Sequence, residues 1–304
     1  MQNTLEHRIF YAMGITVHLT MIGVTNKEAD QKAVLAEKIF KNYDERFSRF
    51  KETSELMALN QSNGAPYKVS IEMFRVLKKC VSLAKETEGR FDPSVGSVLA
   101  SYGYGLPENF VPPSPLPTYR DISFNDRALE VTLSEGQILE PASMVKGIAI
   151  DTAGTALAGV PGFMINAGGD ILTYGAFQNG TPWNVAIQDP RDTRAIVTVV
   201  GIENRALATS GVYQTKGEQN SRPWHHLVNM QTLKPTQGIT SATVIAKTCE
   251  QADTEASLAI LLGKDGALIR LEKLDLPYFL ILDDGIIQKN KAFAELEISI
   301  QATH

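Results

Sequence analysis

The sequence predicts an α+β (mixed α/β) fold with mostly antiparallel sheets flanked by helices. Segments that alternate apolar and polar residues, which is typical of half-buried strands, are interspersed with segments whose apolar residues recur every three or four positions, which is typical of helices. The two kinds of segment do not follow a strict strand–helix–strand order. No G-x-G-x-x-G opens a helix and no G-x-x-x-x-G-K-[ST] is present, so neither a Rossmann fold nor a P-loop has support.

The composition is that of an ordinary globular protein. The chain has 304 residues, of which 43% are hydrophobic and 21% charged, enough for a sizeable core. We expect a single domain over residues 1–304, with two interlocked lobes as the alternative arrangement. The formal net charge is −5 and no Lys/Arg-rich run is present, so we expect neither a nucleic-acid partner nor a membrane partner.

The N-terminal segment lacks the features of an export signal, and no segment has the length and apolar character of a membrane span. We therefore expect a cytoplasmic protein, although a chain whose export signal had been removed would look the same. Two cysteines far apart in the sequence indicate neither a disulfide framework nor a thiolate metal site. The sequence leaves the oligomeric state open.

In the first third of the chain, the segment ITVHLTMI (residues 15–22) alternates as a half-buried strand does. Residues 27–44 follow a helical pattern whose apolar side is formed by Val34, Leu35, Ile39 and Tyr43. The segment FSRFKETSELMALNQSNGAP is predicted to be a loop. A second helix follows, with an apolar stripe formed by Ile71, Phe74, Leu77, Val81 and Ala84. Gly89 ends this helix, and the turn-rich segment FDPSVG comes next.

The remainder of the chain alternates between short strands and helices. Residues 101–118 are rich in Gly, Pro and Tyr and indicate an irregular surface segment. Pro141 is a good first-turn residue for the helix SMVKGIAIDTAGTALAG. The segments KDGALIRLEKL and PYFLILDDG–IIQKN predict a last helix and a closing hairpin. Short strands are predicted at ALEVTL, QILEPAS, FMINAGGDILTYG (with a glycine turn), WNVAIQDP, AIVTVVGI, RALATSG, HHLVN and SATVIA.

The helix CEQADTEASLAILLG (residues 249–263) combines a carboxylate and a hydroxyl with an otherwise core-like composition. Asp253 and Ser257 are four residues apart and therefore lie on the same face, and Gly263 is a plausible end for the helix. The pair is either part of an ordinary solvated face or part of a site. Oxygen donors of this kind suit Mg²⁺ with a phosphorylated substrate rather than zinc.

Three other segments carry residues that could bind a ligand or take part in catalysis. EPASMVKG joins Glu140 and Lys146 to a helix N-terminus, which favours an anion, or is simply the start of a helix with a solvated lysine. NAGGD (residues 166–170) allows close backbone approach to a ligand, although a tight turn is the better reading of these residues alone. In PWHHLVN, either His225 or His226 is a candidate general base or a packing residue.

Eight segments in this order resemble one family, the ApbE-type flavin transferases, which are FAD:protein FMN transferases. They are AMGITVHLTMIG, FSRFKETSELMALN, TEGRFDPSVG, EPASMVKGIAID, INAGGDI, ALATSG, HHLVN and ADTEAS. The resemblance extends from about Ala12 to Gly263. It implies an ApbE-like fold, binding of FAD and Mg²⁺, and transfer of FMN onto a Thr or Ser hydroxyl of a target flavoprotein with release of AMP.

The resemblance also implies roles for individual residues. The metal ligands would be Asp253, Ser257 and the backbone carbonyl of Ser143, so that the ion clamps the diphosphate of FAD. His226 matches the family histidine and, with Asp253, would be catalytic; it either helps to deprotonate the acceptor hydroxyl or orients the phosphate. The positions implied to contact FAD are Met13, Phe50, Arg90, Phe91, Asp92, Glu140, Lys146 and Leu227.

Two segments depart from the family pattern. Glu140 replaces the usual Asp, and the pattern H-I-I-D-P-x-T-G becomes HLVNMQTL, with Asn229, Met230 and Leu233 at the altered positions. These changes could reshape the loop that receives the acceptor protein. An FAD-binding or carrier protein, or an FAD pyrophosphatase without transferase activity, is therefore kept as the alternative function.

Overall fold

The structure, a computed structural model, describes residues 4–102, 104, 112–213, 216–219 and 222–298. The helices in these residues are α1 (Asn26–Phe47), α2 (Glu55–Asn60), α3 (Ile71–Glu86), α4 (Gly96–Ser101), α5 (Ala142–Ala156), α6 (Cys249–Lys273) and α7 (Lys291–Ala294). The strands are β1 (Leu5–Ala12), β2 (Ile15–Ile22), β3 (Tyr67–Lys68), β4 (Ser123–Asn125), β5 (Glu130–Thr132), β6 (Gly162–Ala167), β7 (Asp170–Tyr174), β8 (Trp183–Asp189), β9 (Asp192–Ile202), β10 (Ala206–Gly211), β11 (Lys216–Gln219), β12 (Arg222–His225), β13 (Val228–Asn229), β14 (Lys234–Pro235), β15 (Ile239–Ala246), β16 (Tyr278–Leu282) and β17 (Ile287–Lys289).

The chain divides into two compact units, each built from separate stretches of sequence. Unit 1 comprises Met1–Lys41, Lys146–Tyr213 and Gln237–His304. Unit 2 comprises Asn42–Val145 and Gln214–Thr236.

Unit 1 is organised around an eight-stranded sheet in the order β1-β2-β6-β7-β10-β15-β16-β17, in which every described pair of neighbours is antiparallel. The predicted mixed fold with mostly antiparallel sheet is thus confirmed. Strand β2 shows why the sequence alternates: Val17, Leu19 and Met21 are fully buried, whereas the residues between them are at least partly exposed.

Both faces of this sheet are packed along part of its width. On one face, Phe10 of β1 meets Phe40 of α1 edge to face, with ring centroids 5.5 Å apart. On the opposite face, an apolar core joins the central strands to the β8–β9 hairpin and to Phe293 of α7. Its buried residues are Ile171, Val185, Ile187, Val200, Ile202, Leu207, Ile245, Phe279, Ile281 and Phe293.

Two tight turns lie next to each other at one end of the sheet. Met13 and Gly14 connect β1 to β2, and Gly168 and Gly169 connect β6 to β7; all four residues have positive φ angles. This conformation matches the two-residue turns that suit the twist of antiparallel hairpins. The Gly168 N–H donates to the carbonyl of Thr16 at 3.3 Å, which links the second turn to β2.

Helices α5 and α6 approach each other at Gly147. A Cβ atom there would lie 2.6 Å from the Cys249 carbonyl oxygen and 2.6 Å from the Glu250 Cα, so only glycine fits. One turn further along α5, the Asp151 carboxylate accepts hydrogen bonds from the N–H groups of Cys249 and Glu250 at 2.7 and 2.9 Å. This side chain caps the N-terminus of α6 and fixes the register of the two helices.

Unit 2 contains α3, whose start and end follow from its sequence. The Ser70 hydroxyl accepts from the Met73 N–H at the N-terminus. Gly89, at φ +84°, donates its N–H to the Ala84 carbonyl at 2.8 Å, which closes the C-terminus as predicted. A small sheet in the order β3-β5-β4 and a cluster of Val98, Leu99 and Val228 complete the described packing.

Some local predictions were wrong. The segment expected to be a loop contains α2, and FDPSVG leads into α4. QILEPAS forms no strand among its described residues. In α1, Val34 and Leu35 are exposed, whereas the buried stripe consists of Ala29, Ala36 and Phe40. The predicted surface segment 101–118 lies partly outside the described residues. Gly263, at φ +71°, interrupts α6 as expected, but helical structure resumes directly after it.

We expect Gly147→Ala to destabilise the protein by about 1–3 kcal/mol, because the added methyl group would clash with backbone atoms of α6. The matched control is Gly154→Ala, also in α5, where the nearest neighbour is the flexible tip of the Leu172 side chain. Chemical denaturation of both variants measures the difference. Equal stability of the two variants would contradict the packing described here.

Candidate active site

A cluster of three charged side chains lies inside unit 1. Lys146 Nζ is 2.7 Å from Asp170 Oδ2, and Asp253 is close enough to influence the lysine electrostatically. Lys146 comes from the second turn of α5, Asp170 follows the Gly168–Gly169 turn, and Asp253 comes from the second turn of α6. Two of the sequence-predicted site residues, Lys146 and Asp253, are therefore brought together, and Asp170 joins them as an ion-pair partner.

Asp253 and Ser257 lie one helical turn apart and are both buried, with 4% and 5% of their surface exposed. The backbone N–H of Gly147 donates a hydrogen bond to the Asp253 carboxylate. The Ser257 hydroxyl lies 2.9 Å from the Ser210 hydroxyl of β10. Among the described residues, Asp253 Oδ2 has no hydrogen-bond partner. A buried carboxylate oxygen without a partner is costly, so this atom needs a proton or a cation.

The pKa values of Asp253 and Lys146 are shifted by burial and by the neighbouring charges of the cluster. Burial raises the pKa of Asp253 to about 8; the charge of Lys146 opposes this shift and the charge of Asp170 adds to it. Burial alone would lower the pKa of Lys146, but the charges of Asp170 and Asp253 outweigh burial and raise it above its usual value. Lys146 therefore stays positively charged, and Asp253 is the carboxylate that takes up a proton when no cation is present.

The oxygen atoms of Asp253 and Ser257 are hard donors of the kind that bind Mg²⁺. The described residues contain no group of three or more His, Cys, Asp or Glu side chains that could hold a metal ion. Within unit 1, a site here would therefore rely on the Asp253 carboxylate and the Ser257 hydroxyl. Ser143, whose carbonyl is the implied third ligand, lies in the first turn of α5 and is partly buried.

In unit 2, Glu140 forms an ion pair that the sequence did not reveal. Arg49 Nη1 is 3.1 Å from Glu140 Oε2, and both side chains are largely buried. Burial raises the pKa of Glu140, while the charge of Arg49 opposes that shift. The Arg49 guanidinium also lies over the rings of Tyr104 and Phe50, at 3.6 and 4.7 Å from their centroids. Arg49 was not identified as a site residue from the sequence. The one indication available in the sequence was that Arg49 directly precedes Phe50.

Phe50 is 67% exposed, so its ring is available to a planar ligand. Phe91 and Asp92, which were also predicted to contact FAD, are not exposed in this way. Phe91 is buried, and the carboxylate of Asp92 accepts the N–H groups of Ser94 and Tyr119, both at 2.8 Å. Both oxygens of Asp92 therefore hold the protein backbone.

Arg90 connects this loop to the histidine segment, because the Met230 N–H donates to the Arg90 carbonyl at 3.2 Å. His226 lies in a bend directly after β12 and is partly buried, while Leu227 is buried. Strand β12 ends at His225, and His226 lies beyond it. The expectation that His225 and His226 point to opposite faces of one strand therefore does not apply. His225 Nε2 lies 2.9 Å from the Thr236 carbonyl oxygen.

The unusual segment HLVNMQTL forms an ordered turn. Asn229 Oδ1 accepts from the Gln231 N–H at 2.9 Å, as an aspartate at this position would. The Leu233 N–H donates to the Asn229 carbonyl at 2.8 Å, and Leu233 has φ +56°, a conformation that favours glycine. Leu233 thus occupies a backbone conformation in which glycine would be less strained.

In unit 1, Met13 lies in the β1–β2 turn with φ +52° and is partly exposed. The neighbouring Gly14 is exposed. The Met13 side chain is thus available at a turn that faces solvent.

The sequence profile of the ApbE family matches residues 13–280. The chain belongs to the ApbE family. Among its curated relatives, the FAD:protein FMN transferase of Haemophilus influenzae is 30% identical over 308 residues, which cover 93% of this chain and 89% of the relative. The FAD:protein FMN transferase of Vibrio cholerae is 27% identical, with 90% and 86% coverage.

Solved structures of ApbE proteins share the fold. The ApbE protein of Thermotoga maritima superposes with a TM-score of 0.87 at 24% identity, covering 97% of this chain and all of that one. The flavin transferase ApbE of Vibrio cholerae superposes with a TM-score of 0.81 at 23% identity, with 97% and 99% coverage. These likenesses confirm the ApbE-like fold. Among the described residues, no helix combines the length and apolar character needed to cross a bilayer.

The pKa of Asp253 predicts how the stability of the metal-free protein depends on pH. An aspartate in the unfolded chain ionises near about 3.9, whereas the pKa of folded Asp253 is about 8. The folded state therefore holds a proton that the unfolded state has lost, and stability falls as the pH rises between these values. Asp253→Asn, which cannot ionise, should melt at a higher temperature than the unchanged chain at pH 8, with a smaller difference at pH 5.

Thermal melts in a chelator at both pH values measure this effect. Asp126→Asn is the control, because Asp126 is exposed and lies outside the cluster. If the advantage of Asp253→Asn were the same at pH 5 and pH 8, the raised pKa of Asp253 would be wrong.

Proposed function

We propose that this chain is an FAD:protein FMN transferase that acts on a Thr or Ser hydroxyl of a flavoprotein and uses Mg²⁺. Two findings support the proposal: membership of a family whose curated relatives bear this name, and the buried Asp253 oxygen that has no hydrogen-bond partner among the described residues. The second is the observation that carries it, because a buried carboxylate oxygen without a hydrogen-bond donor is costly unless a proton or a cation compensates it. A cytoplasmic location stays a prediction of the sequence.

The residues present fit a magnesium ion. Asp253 supplies a carboxylate oxygen, Ser257 a hydroxyl oxygen one turn along α6, and Ser143 is the candidate for the carbonyl ligand. Serine retains the hydroxyl that the family pattern has as threonine, so the donor atom is unchanged. When bound, the ion neutralises negative charge that builds up on the diphosphate and on the leaving AMP.

Lys146 supplies a fixed positive charge for the diphosphate of FAD. Its ion pair with Asp170 at 2.7 Å holds the ammonium group in place, and its raised pKa keeps the group protonated throughout the neutral range. A preorganised charge favours the developing anion without needing to reorganise during the reaction. We assign Lys146 to binding and charge stabilisation, and Asp170 to positioning Lys146.

In the proposed reaction, the acceptor hydroxyl oxygen forms a bond to the FMN phosphorus of FAD, and the bond from that phosphorus to the oxygen of AMP breaks. The hydroxyl proton must leave, and His226 either accepts it or orients the phosphate. For recognition of FAD, exposed Phe50 offers a face for stacking, and Arg49 is held beside it by Glu140.

The alternative functions, an FAD pyrophosphatase or an FAD carrier, were motivated by the HLVNMQTL segment. The case for a disrupted loop is weaker because hydrogen bonds to Asn229 from the N–H groups of Gln231 and Leu233 hold the turn. A pyrophosphatase would pass FMN to water, and a carrier would release no AMP.

We expect Asp253→Ala to lower FMN transfer at least about a hundredfold, since it removes the only charged ligand of the proposed ion. Ser257→Ala should have a smaller effect, because water can replace a hydroxyl ligand. The assay mixes the protein with FAD, Mg²⁺ and a flavoprotein acceptor, and follows the covalent FMN mass increment and AMP release. Asp126→Ala, at an exposed position, is the control and should transfer normally.

Unaltered transfer by Asp253→Ala would rule out its metal role. AMP formation that needs no acceptor protein would instead identify a pyrophosphatase.

His226→Gln distinguishes the two roles left open for this histidine. A general base contributes about 10²–10⁴-fold to the rate, so its loss should lower kcat by at least about 100-fold and remove the acid limb of the pH–rate profile. A phosphate-orienting residue should instead raise KM for FAD and leave the profile intact. His225→Gln is the matched control, and kinetics identical to the unchanged chain for His226→Gln would exclude both roles.

A further inference from the structure

A pair of histidines lies on the strands of the β1–β2 hairpin, outside the cluster of Lys146, Asp170 and Asp253. In the strand register, His7 faces Thr20 and Ile9 faces His18, so His7 and His18 are diagonal neighbours on the same face of the sheet. His7 Nε2 lies 3.4 Å from His18 Nδ1, and the ring centroids are 5.5 Å apart. His7 is exposed and His18 is partly exposed, so both can be reached from solvent.

We propose that His7 and His18 form a binding site for a divalent transition metal such as Zn²⁺. Imidazole nitrogens are among the preferred ligands of such ions, whereas Mg²⁺ prefers oxygen. Two nitrogens bound to zinc at about 2.0–2.1 Å in tetrahedral geometry lie about 3.4 Å apart. The observed separation of the two nitrogens therefore needs only a rotation of the rings to direct both lone pairs at one ion.

Thr20 prepares His7 for this role. His7 Nδ1 lies 3.2 Å from the Thr20 hydroxyl, which is on the facing residue of β2. Histidine ligands commonly donate their second ring N–H to an oxygen atom, and this bond fixes both the tautomer and the ring orientation. With its proton on Nδ1, His7 presents the Nε2 lone pair toward His18. When the metal binds, His18 presents Nδ1 and carries its ring proton on Nε2.

The remaining coordination positions belong to water. No third His, Cys, Asp or Glu side chain joins the pair among the described residues, and the face around it is open: the neighbouring Ile9 and Tyr11 are 58% and 66% exposed. The site is consequently an open, two-histidine site rather than a closed structural one.

Binding would connect two strands at the edge of the sheet. Strand β1 is the first strand of the eight-stranded sheet and pairs only with β2 in the described order. A metal bound to one histidine from each strand cross-links them in the folded state, and it stabilises that state by mass action. The β1–β2 turn carries Met13, so the same hairpin joins this site to a residue implied in flavin binding.

The test is calorimetric titration of the untagged full-length chain with Zn²⁺ at pH 7.5 in the presence of excess Mg²⁺. We expect one Zn²⁺ per chain at this site, at least about tenfold weaker binding in His7→Gln and in His18→Gln, and a loss of similar order in Thr20→Val. His304→Gln, at the C-terminal residue, is the matched control and should bind as the unchanged chain does.

A second measurement is the thermal melt. Zn²⁺ should raise the melting temperature of the unchanged chain but not that of the His7→Gln/His18→Gln double variant, and without metal the two should melt alike because both positions are at least partly exposed. The proposal is overturned if the unchanged chain binds no Zn²⁺ under these conditions, or if the two single histidine variants bind it as tightly as the unchanged chain.

Discussion

The cluster of partly buried Lys146 with the buried side chains of Asp170 and Asp253 constrains the rest of unit 1. These residues come from α5, β7 and α6, which meet only in the folded chain. Removing one partner of a buried ion pair typically costs about 3–5 kcal/mol, because a charge is left without compensation. These three elements must therefore keep their relative positions. Lys146 compensates Asp170 at 2.7 Å, whereas Asp253 Oδ2 has no hydrogen-bond partner among the described residues.

Several local features allow Lys146, Asp170 and Asp253 to lie close together. Gly147 lets α5 and α6 come within contact distance, and the carboxylate of Asp151 satisfies the first N–H groups of α6. The Gly168–Gly169 turn places Asp170 at the start of β7. Each feature satisfies a local packing or hydrogen-bonding requirement. Together they leave the Asp253 carboxylate with one oxygen that has no hydrogen-bond partner among the described residues. A buried carboxylate oxygen without a hydrogen-bond partner costs stability, and this cost is the structural reason for the cation site proposed above.

The loop in unit 2 that contains Asn229 and Leu233 is held by local hydrogen bonds. Asn229 accepts the same kind of turn hydrogen bond that a carboxylate would, and Leu233 adopts a positive φ angle at a cost of about 1–2 kcal/mol. Local hydrogen bonds thus hold this loop in place although Leu233 has an unfavourable backbone conformation. The Leu233 side chain is exposed at the surface of this loop.

The sequence by itself determined the family, the long periodic elements such as α3 and the face shared by Asp253 and Ser257, because each depends on residues that are close in the chain. It did not reveal which side of α1 is buried, since Val34 and Leu35 are as apolar as the stripe that packs. Only the tertiary structure decided that Lys146 pairs with Asp170. Such pairing depends on strand register and helix contact, which no local pattern encodes.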